Sequence, residues 1–431
     1  MGDGTLARVM IVGGGARSHA LAEALMQSPT VGRVVLAPGT TGLEELGFET
    51  APVSSQDFKG LAEYALFEEI DLTVVGPNTP LVDGIVDHFE AEGLRIFGPS
   101  KQAARLEGSK VFARLLMNRL QIPTPRFAIC DTMERAARMA QTTAWARVYK
   151  ADGIAYGKGV RVTRTASEAE AALETVMQDN IYGLESERIV VEERLDGTEI
   201  TVFSLTDGED VVLLGNVQNH PRLYDGDEGP PTRGMGQISP SPLVDESLEQ
   251  EIKNEILRPT IQALADAGTP LRGALFVDLM VVPEGVRVID YNVRFGDPAT
   301  QTLLSAYTGD VYGLLGACLD GGLPAAATRL KRDRRPRVSV VIAAEGYPDE
   351  RVRGHEIKID TDVFASDPDL WLFQDGVRAR ESILETTGGR TFTVVAAGST
   401  VAEARQSAYQ AVKAIHFEGM HYRADIGIFS G

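Results

Sequence analysis

The sequence predicts an α/β and α+β protein of several domains, with an N-terminal parallel sheet and a small C-terminal α/β domain. Its 431 residues provide for roughly two to four domains of ordinary size. Residues 8–99 alternate short apolar runs with helix-like stretches, a pattern typical of parallel sheets with helices on both faces. A charged run at 329–336 precedes two further strands and a helix, and we interpret it as a linker.

Composition excludes several classes of protein. Lys plus Arg is 42 and Asp plus Glu is 61, giving a formal charge of −19, which disfavours nucleic-acid and anionic-membrane partners. The two cysteines, Cys130 and Cys318, are too few for a disulfide framework or a Cys-based zinc site. No apolar run approaches the roughly 20 residues needed to span a bilayer. We therefore expect a soluble, cytoplasmic protein that acts on small molecules as a monomer or homodimer.

The N-terminal region contains a candidate anion site. We predict a helix at Ala16–Met26 and strands at Arg8–Val12, Val34–Ala37, Leu72–Val75 and Leu94–Phe97. The turn Gly13–Ser18 joins the first strand to the helix, so its backbone N–H groups can face an anion. Ser18 occupies the third glycine position of the dinucleotide fingerprint, and no acid ends the second strand, which disfavours a nicotinamide dinucleotide. Two readings stay open: a tight turn without a ligand, and a site for a small phosphorylated molecule that Arg17 would contact.

A second glycine-rich segment, 150–160, lies between two predicted strands. It is not a P-loop, because only three residues separate Gly153 from Gly157 and because Gly159 follows Lys158 where Ser or Thr is required. Glycine amides and lysines on a hairpin can close over nucleotide phosphates; the alternative is a mobile surface hairpin with solvated lysines. The long segment Asn219–Gly236 is expected to be a functional loop.

Two aspartates are predicted to face each other across a hairpin. If Pro283–Gly285 forms a three-residue loop, Asp278 lies directly opposite Asp290, and Asn292 shares their face. Like charges placed this close destabilise a sheet. A divalent cation would explain them, since oxygen ligands suit Mg²⁺ or Mn²⁺. The alternative is a register shifted by one residue, which separates the two acids.

Arg294 follows this hairpin by two residues. A permanent cation beside a metal site can stabilise a transferring phosphoryl group or an acyl phosphate.

Taken together, these segments resemble the phosphoribosylamine–glycine ligase (GAR synthetase) family of the ATP-grasp superfamily. The likeness runs almost end to end. It is carried by Val12–Gly15 with Arg17 and His19, Val74–Pro77, Ile96–Pro99, Leu106–Lys110, Lys150–Val160, Asp225–Asp227, Gly234–Gly236, Arg294–Pro298, Gly346–Pro348 and Ile415–Met420.

The resemblance implies a substrate-binding domain at 1–105, an ATP-grasp domain at 106–328 with its smaller lobe at about 125–195, and a C-terminal domain at 329–431. It implies an ATP-dependent carboxylate–amine ligase of purine synthesis. A carboxylate would attack the γ-phosphate to give an acyl phosphate, and an amine would then attack the acyl carbon. ATP and Mg²⁺ (or Mn²⁺) are the expected cofactors.

Candidate site residues follow from the motifs and the resemblance together. Those for ATP are Lys110, Lys150, Gly153, Gly157, Lys158, Gly159, Glu192, Leu195 and Glu199. Those for the substrates are Gly14, Gly15, Arg17, Ser18, Gly76, Pro77, Asn78, Asn219, Asp225, Arg294 and Asp297. Arg294, Lys150 and Asp225 are the candidate catalytic residues, and Asp278, Asp290 and Asn292 the candidate metal ligands.

The sequence departs from the family pattern near the substrates. The departures are Ser18, Asn78, Asn219, Pro221, Pro231, Arg233, Asp278, Asp290 and Ala299. Losing a buried partner for a substrate's charge can change which substrate is used. Two enzymatic functions therefore stay open: glycinamide ribonucleotide synthesis, and ligation of a different amino or hydrazino acid to a different sugar-phosphate amine. A non-catalytic ATP-binding protein is a third, which the retained Asp290 and Arg294 disfavour.

Overall fold

The N-terminal domain is built on a five-stranded parallel sheet of order β3-β2-β1-β4-β5. The computed structural model describes residues 6–153, 159–178, 188–381 and 383–428. The strands are β1 (Ala7–Gly13), β2 (Val31–Pro38), β3 (Glu49–Thr50), β4 (Leu72–Val75) and β5 (Ile96–Phe97). Its helices are α1 (Ala16–Met26), α2 (Thr41–Glu44), α3 (Phe58–Phe67), α4 (Asn78–Asp83), α5 (Ile85–Ala91) and α6 (Lys101–Gly108), and α7 (Lys110–Arg119) follows this domain.

The apolar run in β1 explains why this sheet is central. Met10 and Val12 pack into one apolar cluster, whereas Val9 and Ile11 pack into another on the opposite face. A strand buried on both faces needs a continuous apolar run rather than an alternating one. The parallel sheet, and the helix beginning at Ala16, are confirmed.

A four-stranded antiparallel sheet of order β6-β9-β7-β8 forms a separate small lobe. Its strands are β6 (Phe127–Cys130), β7 (Ala146–Ala151), β8 (Val160–Val162) and β9 (Ile189–Glu193), and its helices are α8 (Met133–Thr142) and α9 (Ala169–Gln178). The helices share an apolar core with the inner side of the sheet. The predicted hairpin over 150–160 is present as β7 and β8, but its tip, with Gly157 and Lys158, lies outside the described residues.

An eight-stranded antiparallel sheet of order β16-β15-β10-β11-β14-β19-β24-β21 runs through the rest of the chain. The elements before the C-terminal region are β10 (Thr198–Asp207), β11 (Val211–Asn219), β12 (Arg222–Tyr224), β13 (Glu228–Pro231), β14 (Gly236–Ser239), α10 (Glu246–Glu251), a π-helical turn (Ile252–Leu257), α11 (Arg258–Asp266), β15 (Arg272–Val282), β16 (Gly285–Asn292), α12 (Ala299–Leu304), β17 (Tyr307–Gly309), α13 (Val311–Asp320), α14 (Leu323–Ala327) and β18 (Leu330–Arg332).

The C-terminal elements continue this sheet and add a second, four-stranded one of order β22-β23-β20-β25. They are β19 (Arg337–Ala343), β20 (Glu356–Ile359), α15 (Thr361–Ser366), β21 (Leu370–Gln374), β22 (Val377–Arg380), β23 (Ile383–Thr386), β24 (Arg390–Ala397), α16 (Val401–Val412) and β25 (Ile415–His416). Because β14 pairs with β19, hydrogen bonds join the central and C-terminal regions directly.

The prediction that 329–336 is a plain linker is wrong. Residues Leu330–Arg332 pair with Tyr307–Gly309 as an antiparallel ladder. Arg337, which follows, is a buried cation that pairs with Asp333 at 3.0 Å. Asp333 and Arg335 of this run therefore have ion-pair partners, Arg337 and Asp369, although most of its other charged side chains are exposed.

The hairpin between β15 and β16 reaches the predicted pairing by a different route. Val282 pairs with Gly285, so the turn has two residues rather than three. Without interruption, that register would place Asp278 opposite Ile289 instead of Asp290. A β-bulge leaves Ile289 unpaired and restores the alignment, so that Asp278 lies opposite Asp290. The facing pair is confirmed, whereas the three-residue loop is wrong.

The long segment 219–236 is also more ordered than expected. Arg222–Tyr224 and Glu228–Pro231 pair as a small antiparallel hairpin, joined by a turn at Asp225–Asp227. Across the described ranges, no helix combines the length and apolar character needed to cross a membrane.

The N-terminal core yields a stability prediction. Phe89 is fully buried in α5, whereas Phe67 at the end of α3 is 83% exposed. We expect Phe89→Ala to lower the free energy of unfolding by about 3–5 kcal/mol through lost burial and a residual cavity. Phe67→Ala, the matched control, should change it by less than about 0.5 kcal/mol. Chemical denaturation of both variants measures this, and equal losses would contradict the packing described.

Candidate functional site

A cavity of about 1140 Å³ lies between the small lobe, the β15–β16 hairpin and the turns of the N-terminal domain. Most of the sequence-predicted residues line it. They are Arg17, Pro77, Asn78, Lys110, Lys150, Gly153, Gly159, Glu192, Leu195, Glu199, Asn219, Asp278, Asp290, Asn292, Arg294 and Asp297. Gly14, Gly15, Ser18, Gly76 and Asp225 are not among its lining residues.

Two lysines and two acids form one wall of the cavity. Lys110 Nζ lies 2.6 Å from Asp290 Oδ1, and Lys150 Nζ lies 3.1 Å from Glu192 Oε2 and 3.8 Å from Asp290 Oδ2. Burial alone would raise the pKa of Asp290, but Lys110 and Lys150 outweigh it and lower the pKa to about 2. Burial likewise opposes ionisation of Glu192, and Lys150 and Arg114 lower its pKa nevertheless. Both acids are therefore ionised at neutral pH, and both lysines have anionic partners.

Arg114, which the sequence did not single out, supports this wall from behind. Its side chain is 2% exposed, and Nε donates to Glu192 Oε1 at 2.5 Å. Its terminal nitrogens donate to the carbonyl oxygens of Val288 at 3.0 Å and Ile289 at 2.6 Å. The carbonyl of Ile289, left free by the bulge, also accepts from Lys150 Nζ at 3.1 Å. One signal was available in the sequence: Arg114 lies three residues from both Val111 and Met117, which places it on the apolar face of α7.

The candidate metal ligands meet beside the lysine wall. Asn292 Nδ2 donates to Asp278 Oδ2 at 2.7 Å, and Thr201 Oγ1 donates to Asp278 Oδ1 at 2.5 Å. Burial, with Asp290 nearby, raises the pKa of Asp278. A divalent cation would relieve this repulsion, and carboxylate and amide oxygens are donors that suit Mg²⁺. The residues present therefore fit a hard cation shared with a ligand; within the described ranges, no three His, Cys, Asp or Glu side chains cluster to cage a metal alone.

Glu199 and Asn219 lie farther along the same surface. Asn219 Nδ2 lies 3.1 Å from Glu199 Oε1 and 2.8 Å from Thr201 Oγ1, and Gln237 Nε2 donates to Asn219 Oδ1 at 2.8 Å. Burial, followed by the charge of Asp278, raises the pKa of Glu199 to about 8. Glu199 therefore holds a proton more readily than an exposed glutamate does.

Two arginine side chains from different domains meet at the N-terminal end of the cavity. Arg17 Nη1 and Arg294 Nη1 both donate to the carbonyl of Phe295, at 2.8 and 3.2 Å. Burial and the adjacent Arg294 lower the pKa of Arg17 to about 10, and Arg17 Nε has no hydrogen-bond partner among the described residues. Two cations this close, one with an unused buried donor, favour an anionic ligand.

Glu107, a further residue that the sequence did not single out, holds this end together. Its carboxylate accepts from Asn78 Nδ2 at 3.0 Å and from the backbone N–H of Val293 at 2.8 Å, and lies 3.3 Å from Arg294 Nε. Asn78, at a departure from the family pattern, therefore has a definite partner in this chain.

The C-terminal domain supplies Asp375 and Arg390 near this end. Arg390 pairs with Asp297, and with Arg17 it outweighs burial to lower the pKa of Asp297 to about 2. Asp375 lies 3.7 Å from Arg390, and burial together with Asp297 raises the pKa of Asp375 to about 6. A Cβ at Gly15 would lie 2.5 Å from Asp375 Oδ1, so Gly15 admits this carboxylate to the start of α1.

The remaining predicted residues have supporting positions. Ser18 is buried, and a Cβ at Gly76 would lie 3.1 Å from its Oγ, so Gly76 and Ser18 pack the turn rather than line the cavity. Asp225 accepts from the backbone N–H of Ala424 at 2.7 Å, and its predicted catalytic role stays a prediction. The neighbouring Asp227 lines the cavity.

Comparisons with known proteins agree along the whole chain. The phosphoribosylglycinamide synthetase models match in order: the N domain at residues 7–107, the ATP-grasp (A) domain at 108–300 and the C domain at 337–428. A phosphoribosylamine–glycine ligase of Caldanaerobacter subterraneus subsp. tengcongensis is 40% identical over 419 residues, covering 97% of this chain and 99% of that protein.

Solved structures agree with this. A phosphoribosylamine–glycine ligase from Thermotoga maritima superposes with a TM-score of 0.79 at 30% identity. The match covers 97% of this chain and 100% of that chain. A biotin carboxylase from Campylobacter jejuni superposes with a TM-score of 0.73 at 14% identity, covering 97% and 93% of the two chains. The second likeness shows the ATP-grasp fold alone.

The raised pKa of Asp375 predicts a pH dependence of stability. Its pKa is about 6 in the folded protein and about 3.9 when unfolded, so the folded state binds the proton more tightly. Its contribution is fully present below about pH 3.9 and is lost as pH rises through 6. We expect the unfolding free energy of the wild type, relative to Asp375→Asn, to fall by about 2 kcal/mol from pH 4 to 7. Urea denaturation of both proteins at each pH measures this. A difference in unfolding free energy that stays constant from pH 4 to 7 would rule the prediction out.

Proposed function

The chain belongs to the phosphoribosylglycinamide synthetase family, and we propose that it joins glycine to phosphoribosylamine with ATP, giving glycinamide ribonucleotide, ADP and phosphate. The observation that carries the proposal is the full-length similarity to ligases of that name. The lysine–acid wall and the two arginines supply the charges that this chemistry needs. The predicted cytoplasmic location and the choice between monomer and homodimer stay predictions.

In this proposal the nucleotide lies between the small lobe and the β15–β16 hairpin. Lys110 and Lys150 contact its phosphates, and the β7–β8 hairpin covers them. Glu192, Leu195 and Glu199 border the adenosine. Because both lysines already have acid partners, an incoming phosphate exchanges one anion for another instead of meeting unpaired cations.

Asp278, Asp290 and Asn292 would hold Mg²⁺ or Mn²⁺. When bound, such a cation neutralises charge that develops on the phosphoryl oxygens. The chain's own part is to keep Asp290 ionised, which Lys110 and Lys150 do. Lys110 also occupies Asp290 Oδ1, so its movement toward a phosphate would free that oxygen.

The first chemical step forms a mixed anhydride. A carboxylate oxygen of glycine attacks the γ-phosphorus, the bond from that phosphorus to the bridging oxygen breaks, and ADP leaves. Negative charge builds on the transferring group, and Arg294 is placed to stabilise it because its guanidinium lines the cavity two residues beyond Asn292.

The second step forms the amide. The amine nitrogen of phosphoribosylamine bonds to the acyl carbon, the acyl–oxygen bond to phosphate breaks, and the proton from nitrogen leaves with the phosphate. We assign the sugar phosphate to the end of the cavity near Arg17, whose Nε is buried without a described partner. Asp297, held ionised by Arg390 and Arg17, can accept a hydrogen bond from the amine.

A product assay tests the proposal. Purified protein, ATP and Mg²⁺ are mixed with glycine and with phosphoribosylamine formed in place from ribose 5-phosphate and ammonia. We expect glycinamide ribonucleotide by mass spectrometry, in amounts that match the ADP formed. Absence of this product, with ADP released only when other amino acids or amines are supplied, would reject the substrate pair and keep the reaction class.

The metal assignment has its own test. We expect Asp290→Asn, which keeps the size and removes the charge, to lower ADP formation by about 100-fold or more, since both the metal and the lysines lose a buried anion. Asp210→Asn, at an exposed position, is the control and should retain wild-type turnover. ADP formation by Asp290→Asn at the wild-type rate would show that the metal assignment is wrong.

A further inference from the structure

The hairpin that covers one side of the cavity has little structure of its own. This hairpin, residues 222–231, is called the cavity loop, and Arg222, Asp227 and Glu228 from it line the cavity. Its strand pairing consists of two residue pairs, Arg222 with Pro231 and Tyr224 with Glu228. Asp227 has a φ of +57°, in the left-handed region that Asp adopts more readily than most residues with a Cβ. Since an isolated two-stranded hairpin is marginally stable, its conformation requires partners elsewhere.

Arg423, near the C-terminus, provides one set of partners. Its side chain is 2% exposed, and Nη1 donates to the carbonyl of Arg222 at 3.1 Å and to Asp227 Oδ1 at 3.0 Å. Its other nitrogens make a two-pronged pair with Asp425, at 2.8 and 2.7 Å. One guanidinium therefore bridges the two sides of the cavity loop and a carboxylate beyond it, a geometry that Lys cannot reproduce.

The flanking residues make further contacts with the turn. Asp425 Oδ2 accepts from the backbone N–H of Gly226 at 2.8 Å, and the N–H of Ala424 donates to Asp225 Oδ1 at 2.7 Å. A ring nitrogen of His421 lies 3.0 Å from the carbonyl of Leu223. Segment 421–426, called the strut, thus contacts the first strand and the turn of the cavity loop, residues 222–227, and Asp225 has a role in this contact.

The strut is anchored to the C-terminal domain at both ends. The backbones of His421 and Ala343, in β19, exchange hydrogen bonds of 2.8 and 2.9 Å. Tyr409 of α16 donates to the carbonyl of Arg423 at 2.6 Å and accepts from the N–H of Ile426 at 3.1 Å. Because β19 belongs to the eight-stranded sheet, the cavity loop is tied to a rigid element.

We propose that Arg423 and Asp425 are positioning residues that fix the cavity loop against the substrates. The link to catalysis rests on the proposed function, whereas the link to loop order rests on the contacts alone. A displacement of about 1 Å at a reacting site can cost about 100-fold in rate. The C-terminal domain thereby contributes to the cavity through charge-assisted hydrogen bonds as well as through packing.

Hydrogen–deuterium exchange of the ligand-free protein tests the first link. We expect Arg423→Ala to raise exchange in residues 222–231 by about tenfold or more. Arg335→Ala is the matched control, because Arg335 also makes a two-pronged pair, with Asp369 at 2.6 Å for both bonds, and does not line the cavity. If Arg423→Ala fails to fold, Asp425→Asn replaces it. Unchanged exchange in the cavity loop would overturn the proposal.

Kinetics test the second link. We expect Arg423→Ala to lower kcat/KM for ligation by about 10- to 100-fold, Arg423→Lys to recover little of it, and millimolar guanidinium ion to restore part of it. Wild-type kcat/KM in Arg423→Ala would overturn the positioning role. If the wild type makes no glycinamide ribonucleotide but Arg423→Ala still raises exchange in the cavity loop, the proposed function is wrong. The role of Arg423 in ordering the loop is then retained.

Discussion

A single unpaired residue, Ile289, sets the geometry on which the cavity depends. The two-residue turn at 283–284 would place the residues of β15 and β16 one step out of register, and the bulge at Ile289 corrects this. It has two consequences at once: Asp290 turns toward Asp278, and a carbonyl oxygen is freed from the ladder. Arg114 and Lys150 both donate to that oxygen. A bulge beside a functional site commonly redirects a side chain, and here it also supplies an acceptor for buried cations.

Paired charge explains how such a wall can be buried before any ligand arrives. Removing one member of a buried ion pair costs about 3–5 kcal/mol, so each cation needs an anion in the free protein. Glu192 satisfies Arg114 and Lys150, and Asp290 satisfies Lys110. The small lobe supplies Lys150 and Glu192, whereas β16 supplies Asp290. Arg114 with Glu192 and Lys150 with Asp290 link the small lobe to the rest of the site. Together the pairs preserve an arrangement of cations suited to phosphates.

Local patterns in the sequence were sufficient for the elements with long apolar runs and for residues close together along the chain, but not for short strands such as β12, β13 and β18. The apolar runs located β1 and β4, and alternation along the hairpin placed Asp278 against Asp290 because both belong to one short segment. The bulge was not predictable, since it depends on the turn and on Arg114 occupying the freed carbonyl. Glu107, Arg390 and Asp375 were missed for a related reason. Each acquires its role from a partner far away along the chain, and its local sequence is that of an ordinary helix, strand or turn.

The C-terminal domain illustrates how such distant contacts become reliable. Its sheet continues that of the ATP-grasp domain through β14 and β19, which fixes Arg390 relative to Asp297. The backbone N–H of Gln374 donates to His19 Nδ1 at 3.1 Å, which fixes the turn carrying Asp375 relative to α1. Cavity-lining groups from three domains, such as Arg17, Arg294 and Arg423, can hold a common geometry only if the domains cannot shift independently. A continuous sheet on one side and buried hydrogen bonds on the other meet that requirement, and the cavity lies where these constraints converge.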